Sequence, residues 1–140
     1  MSCILASTLL CGQSKTPFYG ANTIILKASS VNDDSLYTVV GKALVAHGHS
    51  IEVNIPEFKQ LKTGVKEIPD RIDIDYQVAI TISEGSVIVT PYLWTNSIQG
   101  NYHGNYKWSW RKGKLTNAHF VEADILDCLG HIGETYWAKK

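Results

Sequence analysis

Two closely spaced histidines are the first residues in the sequence that suggest chemistry, because histidine is the commonest metal ligand. His47 and His49 form an H-x-H pair, and three further histidines lie at positions 103, 119 and 131. A zinc site needs three or four ligands that converge on the ion. His47 falls at the end of a predicted helix, where the helix dipole already favours it, and His49 begins a predicted strand. The pair therefore need not converge, and we predict no metal site and no cofactor.

Cys128 could act as a nucleophile beside a histidine and an acid. It lies on the apolar stripe of a predicted helix, which is typical of a small core residue. Three acidic residues of the same helix, Glu122, Asp124 and Asp127, fall largely outside that stripe and are predicted to form a solvated face. No nucleophile elbow, phosphate-binding loop or paired-carboxylate motif occurs. We therefore predict that the protein is not an enzyme.

Aromatic side chains are the feature that suggests binding. Three aromatics near position 108 alternate with polar or basic residues, which is typical of one face of a strand, and two others share the outer face of an earlier strand. Large aromatics provide much contact area at little entropic cost. The predicted binding surface comprises Ile88, Tyr92, Trp94, Tyr106, Trp108 and Trp110. Either these residues contact an envelope protein, a small ligand or a glycan, or they cover the open side of a sheet or pack beneath a loop at 97–105.

Two helices are predicted from apolar residues at helical spacing. The first follows capping candidates at 32–35 and ends at Gly48. Its stripe contains Leu36, Val39, Val40, Ala43, Leu44 and His47. The second begins at Thr116 or Asn117. Its stripe contains Val121, Ile125, Cys128, Leu129 and Ile132.

Strands are predicted at 22–28, 51–55, 61–65, 75–83, 86–95, 106–111 and, as a short last element, 134–138. The clearest pair flanks a two-residue turn at Glu84 and Gly85, which places Ser83 opposite Ser86. In that register Ile82 pairs with Val87 on the face predicted to be buried. The outer face then carries Ile88, Thr90, Tyr92, Trp94, Gln77, Ala79 and Thr81.

This order of elements predicts an α+β fold, a two-layer sandwich in which an antiparallel sheet of about five or six strands carries two helices packed on one face. The chain contains no internal repeat and no linker. We therefore predict a single domain at 22–138, preceded by a tail at 13–21.

Composition excludes several functions. The 140 residues carry 13 basic and 13 acidic side chains, so the net charge is zero. A nucleic-acid partner is therefore not expected. No apolar run reaches the roughly 18 residues of a membrane span.

Residues 1–12 are uncharged and contain a short apolar segment, which predicts a signal-peptide remnant and export to a bacterial periplasm or envelope. The alternatives are lipidation of Cys11 and an N-terminal strand or tail of a cytoplasmic protein.

The chain resembles small exported bacterial proteins of unknown function that have a TATA-binding-protein-like, helix-grip-type β-α-β4-α domain. The features that carry the resemblance are the strand at 22–26, the helix end at 46–51, the segment 61–63 and the closing helix up to Gly130. The resemblance implies a fold and an envelope location but no catalytic residues. We expect a non-catalytic envelope binding or assembly module. The alternative is a small-molecule hydrolase or ligand-binding protein with a pocket between the sheet and the C-terminal helix.

Overall fold

The computed structural model describes residues 13–28, 31–68, 74–96, 103–110 and 117–140. These residues form two helices and nine strands, so the protein is an α+β protein. The helices are α1 (Asp33–Ala46) and α2 (Asn117–Leu129). The strands are β1 (Gln13–Ser14), β2 (Thr23–Lys27), β3 (Ile51–Ile55), β4 (Gln60–Thr63), β5 (Lys66–Glu67), β6 (Ile74–Ser83), β7 (Ser86–Asn96), β8 (His103–Lys107) and β9 (Glu134–Ala138).

All nine strands belong to one antiparallel sheet with the order β1-β9-β2-β7-β6-β4-β3. The long strands β6 and β7 each have one further partner. β5 pairs with the part of β6 that β4 does not reach, and β8 pairs with the part of β7 that β2 does not reach. The sheet is therefore larger than the five or six strands predicted. β1 and β5 were missed because a strand of two residues has no periodicity to detect. The predicted tail at 13–21 accordingly begins with a strand.

The long hairpin of β6 and β7 confirms the predicted register. Ile82 pairs with Val87 and Ser83 pairs with Ser86. Both turn residues, Glu84 and Gly85, have positive φ angles of 51° and 76°. Such a turn matches the twist of its flanking strands, which is why the sequence predicts this register well.

The region after β7 differs from the prediction. A loop was expected at 97–105 and a strand at 106–111, but β8 occupies His103–Lys107, and residues 97–102 and 111–116 lie outside the described residues. β7 continues to Asn96, which pairs with His103. The part of β7 that extends past β2 offers backbone hydrogen bonds to β8. These bonds outweigh the low strand propensity of the glycine and asparagine in β8.

Both ends of α1 follow the prediction. The Asn32 side chain accepts a hydrogen bond of 2.8 Å from the Ser35 N–H, and Gly48 has φ +97° just beyond the helix. Leu36, Val40 and Leu44 are fully buried. Val39 was placed on the same stripe but is 43% exposed, because it lies at the edge of a narrower buried face.

The core lies between the sheet and both helices. The buried side chains of α2, including Val121, Ile125 and Leu129, join those of α1 and of β2, β6 and β7 in one cluster. Both helices therefore cover the same face, as predicted, in two layers. Within the described residues, neither helix is long and apolar enough to cross a membrane.

Candidate functional site

The outer face of the sheet carries three of the predicted binding residues. Ile88, Tyr92 and Trp94 lie on β7 and are half-buried. The Trp94 Nε1–H donates to the side-chain oxygen of Gln77 on β6. Gln77 itself, and Ile25 on β2 beside Ile88, are each only 2% exposed. This face is therefore less open than a bare sheet surface.

The other three predicted binding residues do not form a shared strand face. Tyr106 lies on β8. Trp108 follows that strand and is fully buried in the core, where its Nε1–H donates to the Ala118 carbonyl at 2.9 Å. Trp110 packs against the same core, and its backbone N–H donates to the Ala21 carbonyl at 2.7 Å. Trp108 thus has the packing role that was the alternative to a binding surface.

A buried polar cluster lies at the C-terminal end of α1, and we name it the Asp124 cluster. The Asp124 carboxylate accepts hydrogen bonds from His47 Nε2 at 3.0 Å, from Lys66 Nζ at 2.8 Å and from the Tyr76 hydroxyl. Asp124 is 8% exposed, so the prediction of a solvated acidic face is wrong for this residue. Asp127, at 79%, is exposed as predicted. Burial raises the pKa of Asp124, but the bonds from Lys66, Tyr76 and His47 outweigh it and lower the pKa overall.

His49 is the fifth member of the Asp124 cluster. Its Nε2 lies 3.3 Å from the Tyr76 hydroxyl, and its Nδ1 is buried without a hydrogen-bond partner among the described residues. Since Tyr76 donates its proton to Asp124, the bond to His49 runs from Nε2–H to the phenol oxygen, which leaves Nδ1 bare. Burial and then the nearby Lys66 charge lower the pKa of His49 to about 4. The imidazole is therefore neutral at physiological pH.

Local structure explains how distant residues meet in the Asp124 cluster. His47 caps α1, and the left-handed Gly48 reverses the chain so that the rings of His47 and His49 lie 6.2 Å apart. Lys66 and Tyr76 are direct partners across β5 and β6. The rings of the two histidines thus lie side by side, an arrangement that the sequence left open. Among the described residues, no three His, Cys, Asp or Glu side chains are placed to bind a metal ion.

Cys128 lies beside this cluster, in the core. Its thiol donates to the Ala43 carbonyl at 3.4 Å. Burial raises the pKa of the thiol to about 11, with Lys66 opposing this change and Asp124 adding to it. The side chain is therefore a thiol at neutral pH, and a thiol is a poor nucleophile.

A groove of about 560 Å³ lies under the other flank of α1, and we name it the α1–β3 groove. Tyr37, Gly41 and Val45 of α1 form one wall, and Ile51, Asn54 and Leu61 of β3 and β4 form the other. The Tyr37 hydroxyl shares its one proton between the side-chain oxygen of Asn54 and the Gln60 carbonyl oxygen, which fixes the distance between helix and sheet at that end. By contrast, Val121, Ile125 and Leu129 of α2 are buried in the core.

Gly41 is one of the residues that line the α1–β3 groove. A glycine inside a helix costs roughly 0.5–1 kcal/mol relative to alanine. A Cβ atom at position 41 would meet nothing within 4 Å, so packing does not require glycine there. The missing side chain therefore leaves space in the groove that a large side chain would fill.

The sequence offered one weak signal for the α1–β3 groove. Gly41 interrupts an otherwise good helix sequence, and Val45, which is exposed, falls outside the predicted apolar stripe. Nothing in the sequence shows that β3 and β4 lie opposite these residues. The chain matches no protein-family model, and it matches no curated protein in sequence.

Proposed function

We propose that the protein is a non-catalytic binding module that holds a small, elongated apolar ligand in the α1–β3 groove. Gly41 is the observation that carries this proposal, because its lack of a side chain leaves space in the groove at a cost to the helix. The groove volume of about 560 Å³ is within the range of small-molecule sites. Its walls are mostly apolar, with Val45, Ile51 and Leu61 among them.

The test uses a neutral naphthylamine dye whose fluorescence rises in apolar surroundings. We expect the unaltered protein and the Gly41→Ala variant to bind the dye and the Gly41→Phe variant to lose binding, because phenylalanine fills the groove. Val39→Phe is the matched control, since Val39 is an exposed residue of the same helix outside the groove. A folded Gly41→Phe variant, judged by circular dichroism, that binds the dye as well as the control would contradict the proposal.

A hydrolase is the second candidate function, and the Asp124 cluster favours it. His47 is partly exposed, and its hydrogen bond to Asp124 orients the ring as a general base requires. We rank this function lower because the Asp124 carboxylate already accepts hydrogen bonds from His47, Lys66 and Tyr76. Chromogenic ester substrates test it: turnover that disappears in His47→Gln would favour the enzyme, and no turnover above the rate in buffer would favour the binding module.

Contact of a protein or glycan with the outer face around Tyr92 and Trp94 stays a prediction. Its support is the half-buried state of both side chains, which leaves part of each in solvent. A Tyr92→Ala/Trp94→Ala double variant tests it. Loss of capture of an envelope partner is the expected result, and unchanged capture would contradict it.

An envelope location and the TATA-binding-protein-like fold are likewise part of the proposal. The apolar segment at 3–11 supports the location, although residues 1–12 lie outside the described residues. The order β2, α1, β3, β4, β6, β7, α2 supports the fold. Fractionation of the producing cell with intact mass measurement tests the location: a chain that starts near Gln13 in the envelope is expected, and an unprocessed cytosolic chain would contradict it.

A further inference from the structure

The α1–β3 groove contains a single charged side chain among the residues that line it, and this is Lys42. Lys42 is exposed and forms no ion pair with another residue in the described part of the chain. Other lysines around α1 are paired: Lys59 with Asp34 at 3.0 Å, and Lys66 with Asp124. An apolar groove thus contains one cation that is free to pair with a bound anion.

Tyr37 lies at the N-terminal end of the groove wall on α1. Burial and then the neighbouring Glu57 carboxylate raise the pKa of Tyr37, and the nearby Lys59 charge opposes this change. An anionic group of a ligand is favoured beside Lys42, because Lys42 is the charged side chain of the groove lining.

The length of the groove restricts the ligand further. Its wall on α1 runs from Tyr37 to Ala46, which at the helical rise is about 13 Å. A straight alkyl chain of that length matches the length of the groove wall, along which Gly41 lies about midway. Beside Lys42, a carboxylate forms a charge-assisted hydrogen bond with the ammonium group.

We infer that the ligand is a medium-chain fatty acid whose carboxylate pairs with Lys42 and whose alkyl chain lies along the α1–β3 groove past Gly41. This inference rests on the proposed binding function and specifies the class of ligand. Lys42 is the residue that determines preference for an acid over a neutral lipid. Its contribution is modest, because a partly exposed ion pair changes affinity by about fivefold or less.

Calorimetric titration of the full chain with laurate and with methyl laurate, below the concentration at which laurate forms micelles, tests the inference. We expect laurate to bind about fivefold more tightly than its ester. Lys42→Met should abolish this preference while retaining binding of the ester, and Lys42→Arg should keep the preference. Lys62→Met is the control, since Lys62 is an exposed lysine of β4 outside the groove.

Three outcomes separate the inference from the proposed function. A preference for laurate that is lost only in Lys42→Met supports both. Equal binding of acid and ester that Gly41→Phe abolishes overturns the pairing with Lys42 and leaves the binding function standing. Absence of binding by either compound, or binding that Gly41→Phe does not weaken, overturns both.

Discussion

At the scale of single residues, Asp124 joins parts of the chain that are far apart in sequence. Its carboxylate accepts bonds from the end of α1, from β5 and from β6, while its own backbone belongs to α2. A buried carboxylate is tolerated when donors replace the water it loses, and here three donors do so. Removing the charge leaves the Lys66 ammonium, which is itself mostly buried, without a counter-ion.

We therefore expect Asp124→Asn to lower the free energy of unfolding by about 3 kcal/mol, the size found when one partner of a buried pair is lost. Asp127→Asn is the matched control, because Asp127 is one turn away and exposed, and it should change stability by less than about 0.5 kcal/mol. Urea unfolding at pH 7 measures both. Equal effects of the two substitutions would show that the Asp124 cluster contributes little to stability.

His49 makes stability depend on pH. The unfolded chain binds a proton at this residue near pH 6.5 and the folded chain only near pH 4, because burial and Lys66 disfavour the charged ring. The contribution of neutral His49 to the free energy of unfolding is complete above pH 6.5. It declines as the pH falls towards 4, by about 3 kcal/mol in all. The pKa of Asp124 is lowered from 3.8, so protonation of Asp124 reduces the free energy of unfolding only at pH values below the range in which His49 titrates.

Urea unfolding between pH 7 and pH 4.5 measures this decline. The His49→Gln variant has no proton to bind at this position, so its stability should change much less over the same range. A decline of equal size in both proteins would contradict the role of His49. Neither the neutral state of His49 nor the burial of Asp124 could be predicted from sequence, because both depend on groups that only the fold brings together.

At the scale of elements, two glycines have opposite roles. Gly133 lies between α2 and β9, where a Cβ atom would be 2.3 Å from the Lys27 carbonyl oxygen of β2. That backbone is fixed by the pairing of Lys27 with Glu134. Gly41 lies inside α1, where a Cβ atom meets nothing within 4 Å.

We expect Gly133→Ala to destabilise the protein by about 1–3 kcal/mol through overpacking. We expect Gly41→Ala to stabilise it by about 0.5–1 kcal/mol, because alanine restricts the unfolded chain and suits a helix. Chemical denaturation of the two variants side by side gives both values. If both substitutions changed the free energy of unfolding in the same direction, the difference in space around the two glycines would not explain their effects.

Elements with strong local signals could be predicted well. The cap at Asn32, the end of α1 at Gly48 and the register across Glu84 and Gly85 each depend on residues a few positions apart. β8 was misplaced because its position is fixed by the edge of β7, not by its own composition. The α1–β3 groove could not be predicted for the same reason, since its two walls are distant in sequence.

At the scale of the whole molecule, the two ends of the described chain lie side by side. β9 pairs with β2 along its full length and with β1 on its other edge. The Asn22 side chain donates to the Lys140 carbonyl and accepts from the Lys140 N–H, at 2.9 and 2.8 Å. The last strand of the described chain, β9, is therefore an interior strand of the sheet, and Trp137 on it packs in the core.

Removal of residues 134–140 should consequently abolish cooperative unfolding, although it deletes only one short strand. Without β9, the backbone groups of Ile24 and Ile25 lose their partners on one edge and β1 loses its only partner within the described residues. Removal of 139–140 alone is the control: it deletes the bonds to Asn22 but keeps every residue of β9, and about 1 kcal/mol of stability should be lost. Thermal unfolding followed by circular dichroism separates the two cases. A sharp transition in the longer deletion, at a temperature near that of the control, would mean that the two helices and the remaining strands fold without the strand that joins β1 to β2.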